Sequence, residues 1–234
     1  YFLYTKYGQN WNIPDASWNS NEDPLNREPT TIATSKGKSR KAFNTWLHGE
    51  DLFEDEEQWF NYREFYDLIS THSFAVLVEI GVWKGSSISY LAHKNPHSRL
   101  FAVDLFQDTY RYKKGYLKNE ASKIYDTYNE RLLKTNTRHL ITDIKSYSWE
   151  GANKFEDNSV DFVYIDADHS YEAVVKDIEA WYPKVKKGGI FAGHDYEPYD
   201  DHNHPGVKRA VDEFAQKIGK PLKLFNGAVW YFEL

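Results

Sequence analysis

The sequence predicts an α/β fold: a doubly wound, mostly parallel sheet of seven strands whose last strand returns antiparallel. Three observations predict it. From about residue 59 onward, apolar runs of strand length alternate with stretches of helical period. Several of those runs close on an acidic residue, with Glu79, Asp104 and Asp166 each at or just past a strand end. Near the C-terminus, Leu222–Phe225 and Ala228–Leu234 flank Asn226-Gly227, a two-residue hairpin signal.

The 234 residues suit one domain with decorations. Residues 1–50 have little periodicity and are rich in Asn, Ser, Thr and Pro, with isolated aromatics at Trp11, Trp18, Phe43 and Trp46. They read as an irregular arm that packs by its aromatics or orders on a partner, and assembly into a homo-oligomer through this arm is the partner expectation. Gly37-Lys38-Ser39 imitates a phosphate loop, but Ile32 stands where its upstream glycine is required. The main domain is expected over 51–234. Its acidic run Asp51–Glu57 suits the N-terminal end of a helix, and Trp59, Phe60, Tyr62, Phe65, Tyr66 and Ile69 carry helical spacing.

The central stretch is Phe74–Leu91. A fully apolar run, Phe74–Val78, gives way to Glu79, Gly81 and Gly85, then Ser86-Ser87 and a helical pattern through Ile88 and Leu91 that ends at Asn95-Pro96. A strand that breaks into a glycine turn and feeds a helix start is how α/β proteins build a site for negative ligand groups. Arg99–Asp104 is a second strand, and Leu105–Gly115 is a Tyr- and Lys-rich connection before helical pattern at Ile124–Leu133. His139–Ile144 is a third strand, followed by a turn and short helix over Ser146–Phe155. Ser159–Asp166 is a buried strand and Tyr171–Tyr182 a helix. Lys187-Gly188-Gly189 reads as a turn into a fifth strand, Ile190–Ala192, which ends in Gly193-His194-Asp195-Tyr196. Polar Glu197–Gly206 reads as a loop over a site, and Val207–Ile218 as a helix.

Composition excludes several classes. The formal net charge of −6 argues against a nucleic-acid footprint, which needs a basic face. No stretch approaches a membrane span. The absence of cysteine removes disulfides, thiolate catalysis and Cys-ligated zinc. A cytoplasmic location is the default expectation. The chain begins at Tyr1 and has no Met, so loss of the natural N-terminus is expected.

The spacing Glu79-x-Gly81-x-x-x-Gly85 is not a dinucleotide fingerprint, because Trp83 occupies the position of its second glycine. The form suits a ligand with an amino-acid end and no diphosphate. Together with Asp104, Asp166-Ala167-Asp168-His169-Ser170-Tyr171-Glu172 and Gly193-His194-Asp195-Tyr196, it resembles the class I S-adenosylmethionine-dependent methyltransferases. The likeness is to their small-molecule O-methyltransferases, of the catechol and caffeoyl and the macrolide-sugar types, and covers about residues 65–234. The resemblance implies a Rossmann-like sheet and S-adenosylmethionine as cofactor, with a hydroxyl of a small molecule or sugar as methyl acceptor.

It also implies roles. Glu79, Gly81 and Gly85 would form the methionine-end pocket, Ser87 would bond the cofactor carboxylate, and Asp104 would take both ribose hydroxyls. Asp143–Ser148 would lie near the adenine. Asp166 would stand beside the cofactor and, with Asp195, bind Mg²⁺, a hard cation that takes carboxylate oxygens. His169 stands where the catechol type has its general-base lysine, and imidazole exchanges a proton near neutral pH. That type has Asn after the second aspartate, whereas this chain has Tyr196. A third metal ligand would then come from His194, Asp200, Asp201, His202, His204 or water. Two alternatives stay open: a hydroxylase or hydrolase with a transition metal on His194, His202 and His204, and a cofactor-binding protein without catalysis.

Overall fold

A computed structural model describes residues 61–106, 123–196 and 205–234. The arm at 1–50 with its assembly role, the Asp51–Glu57 helix start, most of the Leu105–Gly115 connection and Asp200, Asp201, His202 and His204 lie outside them.

The elements in chain order are α1 (Asn61–Ile69), β1 (Val76–Ile80), α2 (Ser86–Lys94), β2 (Arg99–Asp104), α3 (Ile124–Lys134), β3 (Ile141–Lys145), a single turn α4 (Ser148–Gly151), β4 (Val160–Ile165), α5 (Tyr171–Trp181), β5 (Val185–Gly193), α6 (Pro205–Ile218), β6 (Lys223–Phe225) and β7 (Val229–Glu233). They form a seven-stranded sheet ordered β3-β2-β1-β4-β5-β7-β6. Pairing is parallel from β3 to β5, and β7 runs antiparallel to both its neighbours. The Rossmann-like architecture expected from the sequence is the one observed.

Alternation along each strand decides what it presents to each face. Val76, Val78 and Ile80 of β1 join Val163 and Ile165 of β4 in a core closed by Val174, Ile178 and Trp181 of α5 and Val207, Val211 and Phe214 of α6. On the other face Phe65 and Tyr66 of α1 pack against Phe162 and Tyr164 of β4. Both faces are covered, as a parallel sheet requires.

Three strands differ from the sequence expectation: β3 starts at Ile141, two residues late, because Arg138–Leu140 form a 3₁₀ turn, and β1 and β5 differ as follows. β1 is shifted by two residues, starting at Val76 and running through Glu79 and Ile80, and all five of its residues are buried. A buried carboxylate is tolerated in the strand because hydroxyls from α1 and α2 bond it. β5 starts at Val185 and includes Lys187-Gly188-Gly189, read above as a turn. Gly188 N–H donates to Leu234 O at 2.8 Å and Leu234 N–H returns to Gly189 O at 3.0 Å, so pairing with the C-terminal strand keeps the glycines in the sheet. The final hairpin forms as expected, with Asn226 and Gly227 both at positive φ, 50° and 74°.

Candidate active site

The strand order reverses between β1 and β4, and at such a switch point the carboxyl ends of the strands open a crevice. Ile80 is in register with Val103 of β2 and with Ile165 of β4. Asp104 therefore ends its strand, and Asp166 follows its own, on the same edge. Ile165 pairs in turn with Gly193 of β5, which brings His194 and Asp195 to that edge.

On the β1–β2 side the backbone shapes the site. Gly81 has φ 82°, and a Cβ there would stand 2.1 Å from Asp166 O and 2.7 Å from Ala167 Cα. Only glycine lets the ends of β1 and β4 approach this closely. Gly85, at φ 78°, is the N-cap of α2. Between them Trp83 takes a left-handed φ of 44°, which turns its N–H onto Asp104 Oδ2 at 2.9 Å. Phe106 N–H donates to Asp104 Oδ1 at 2.6 Å. Burial raises the Asp104 carboxyl above its ordinary range, and the amides of Trp83, Phe106, Val82 and Leu105 oppose that rise.

Glu79 is 1% exposed. Tyr66 donates to its Oε2 at 2.9 Å, and Ser87 bonds its Oε1. Burial pushes its carboxyl up to about 8, against the pull of these two hydroxyls and with a push from Asp166 and Asp104. At neutral pH the side chain thus holds a proton.

On the β4–β5 side the site is made of side chains. His169 Nε2 lies 3.4 Å from Asp166 Oδ1 and 3.1 Å from Asp195 Oδ2. His194 Nδ1 lies 3.1 Å from the other Asp195 oxygen, so imidazole nitrogens face both oxygens of this carboxylate. Asp195 is buried and has a left-handed φ of 57°. Asp166, His169 and Asp195 each offer one ligand atom within 4.8 Å of the others. Two carboxylates and an imidazole so grouped fit a divalent cation. His194, weighed above as a third ligand, is outside this group. Tyr196 faces away, bonding Asp212 Oδ1 of α6 at 2.5 Å.

Asp143, expected near the adenine, has both oxygens engaged. Arg138 holds them at 2.9 and 3.0 Å, and Tyr128 and Tyr125 donate at 2.6 and 3.0 Å. Tyr128 also backs the glycine turn, since a Cβ on Gly85 would meet its Cδ2 at 2.7 Å. Sequence reasoning passed over Tyr66, because its helical spacing reads equally well as plain core. It also passed over the α6 carboxylates, which no motif marks.

Residues 78–196, just over half the chain, match a family model described as a methyltransferase domain. The "Uncharacterized protein R132" of Acanthamoeba polyphaga mimivirus is 29% identical over 145 residues, covering 60% of this chain and 59% of that protein. The chain thus spans about three-fifths of the length of the curated relative it matches. Among solved structures, the O-methyltransferase NovP is similar with a TM-score of 0.55 and 21% identity, over 74% of this chain and 77% of its own. An O-methyltransferase from Bacillus cereus in complex with SAH gives 0.56 and 13%, over 84% and 97%. CalS11, a TDP-rhamnose 3'-O-methyltransferase of calicheamicin biosynthesis, gives 0.53 and 18%, over 76% and 80%. Identities this low speak for the fold.

Proposed function

The chain belongs to this methyltransferase-domain family, and from that premise we propose that it moves a methyl group from S-adenosylmethionine to a hydroxyl of a small molecule or sugar. The observation that carries the reading is the division of one crevice. Gly81, Gly85, Ser87 and Asp104 stand on its β1–β2 side with the buried Glu79 behind them, and Asp166, His169 and Asp195 gather on the other. The solved relatives with O-methyltransferase and SAH in their names support the same choice. Membership in this family speaks against the hydroxylase or hydrolase alternative.

Asp104, held at its strand end by the amides of Trp83 and Phe106, would accept the two ribose hydroxyls. The start of α2, with Ser87, would receive the carboxylate of the methionine end, with the buried Glu79 behind it. Asp166 and Asp195 would hold Mg²⁺. When bound, S-adenosylmethionine supplies an electrophilic sulfonium methyl, and the cation supplies positive charge beside the acceptor oxygen. His169 would take the proton from the acceptor hydroxyl, with the Asp166 and Asp195 carboxylates beside the ring to stabilise the imidazolium. Holding the acceptor oxygen in line with the methyl contributes most of the acceleration.

Calorimetry with S-adenosylmethionine and S-adenosylhomocysteine, followed by methyl transfer to a panel of catechols and nucleotide sugars with and without Mg²⁺, tests the reading. His169→Gln should lower turnover by about 10²- to 10⁴-fold, the range of a general base. Absence of binding by either sulfur compound would sink the proposal.

A further inference from the structure

Both residues that flank the His169–Asp195 contact are tied to one helix. Tyr196, the residue after Asp195, is 6% exposed. Its hydroxyl donates to Asp212 Oδ1 at 2.5 Å and accepts from Lys208 Nζ at 3.1 Å. Tyr171, two residues after His169, donates to Glu213 Oε2 at 2.5 Å, and Arg209 lies over its ring at 4.0 Å while bonding Glu213 Oε1 at 2.9 Å. Asp212 and Glu213 are consecutive residues of α6. A third tie comes from the start of the helix. A Cβ on Gly206 would stand 2.6 Å from His169 O, 2.9 Å from Ser170 C and 2.4 Å from Tyr171 N, so the helix backbone rests directly on the 169–171 segment. The other face of α6 packs on the sheet and on the turn after α5, with Phe214 against Phe191, Phe232 and Tyr182 at ring distances of 6.1, 5.6 and 4.8 Å.

We propose that α6 is the positioning element of the reaction centre, with Gly206 and Glu213 setting the place of His169 and Asp212 setting that of Asp195. The inference rests on the assignment of Asp166, His169 and Asp195 as the reacting edge. Lone hydroxyl bonds near the surface contribute little to folding. A displacement of about 1 Å in a catalytic group costs on the order of a hundredfold in rate. The ties therefore matter for geometry far more than for stability. Sequence motifs do not reveal them, because the two tyrosines and the two carboxylates meet only when α6 packs beside α5.

The test is a ¹H–¹³C correlation spectrum of the histidine rings in the full chain at one fixed pH, with the His169 signal assigned by its loss in His169→Gln. In the Tyr171→Phe/Tyr196→Phe double variant and in Gly206→Ala, the His169 signal should shift by more than its linewidth. Those of His72, His93, His97 and His139 should stay in place. Glu213→Ala should shift it too, and Glu213→Gln, which keeps an acceptor for Tyr171, should restore it. The thermal midpoint of the double Phe variant should stay within a few degrees of the parent. An unmoved His169 signal in the double variant and in Glu213→Ala overturns the inference, as does a shift of all the rings together. If Gly206→Ala does not fold, the Phe variants decide. A parent chain that binds no S-adenosylhomocysteine refutes the proposed function, while the ring signals still report whether α6 sets the histidine.

Discussion

On one bank of the crevice the main chain does the shaping. Gly81 and Gly85 hold φ values near 80°, Trp83 is forced left-handed, and the amides so turned surround the Asp104 carboxylate. On the opposite bank the main chain only brings Asp166, His169 and Asp195 to an edge, and side chains complete the arrangement within 4.8 Å. A backbone site tolerates almost no substitution but needs no outside support. A side-chain site can change its chemistry residue by residue, and it depends on whatever holds those residues still. The donor is common to many reactions and the acceptor is not, so a rigid bank facing an adjustable one suits a methyltransferase.

The comparison breaks most readily at Gly81. Gly81→Ala would press a Cβ into the Asp166 carbonyl and impose a left-handed conformation on alanine. We expect a loss of roughly 3 kcal/mol in chemical denaturation, together with loss of S-adenosylhomocysteine binding. If the variant keeps parental stability and binding, the first bank is not backbone-limited. Asp104→Ala should fold and bind S-adenosylhomocysteine about 10- to 100-fold more weakly by calorimetry, the loss expected for hydrogen bonds to a charged group.

Glu79 sharpens the contrast through pH. Its carboxyl ordinarily titrates near 4.5 and is pushed up to about 8 in the folded chain. Between those values the folded state keeps a proton that the unfolded state releases. Its contribution to stability is thus complete below about pH 4.5 and lost as pH rises to about 8. Urea midpoints measured across that window should fall less steeply with pH in Glu79→Gln than in the parent. Equal slopes would show that Tyr66 and Ser87 hold an ionised carboxylate instead. The smallest expected effect comes from the other bank: His169→Gln should leave S-adenosylhomocysteine affinity within about twofold. A larger change would mean that the two banks do not act separately.

The division also explains what the sequence made legible. Glycines at fixed spacing, Asp104 and Asp166 at their strand ends and the Asn226-Gly227 hairpin are local signals, and each falls where it was expected. The start of β5 was misread because Gly188-Gly189 is a local turn signal, overruled by pairing with Leu234, a residue far along the chain. The end of β1 was placed short because a buried Glu79 is unfavourable until Tyr66 and Ser87 are known to reach it. His169 is expected to react from its position in the motif, but its approach to Asp195 at 3.1 Å depends on how β4 and β5 align. Asp212 and Glu213 carry only the spacing of an exposed helix face, with Lys208 and Arg209 one turn before them. Contacts fixed by packing leave no pattern within a single element.

Tyr66 stands upstream of the span that matches the family, which begins at residue 78, and the closing hairpin lies beyond its end at 196. A gene trimmed to that span would encode Phe162 and Tyr164 with no helix over them and Phe191 without Trp230, its edge-to-face neighbour. It would also leave the Glu79 carboxyl without one of its two hydroxyls. The segment by which the lineage is recognised is therefore shorter than the segment that must be inherited together, and a recombination point inside 61–77 or 197–234 would cut through the pocket and its support.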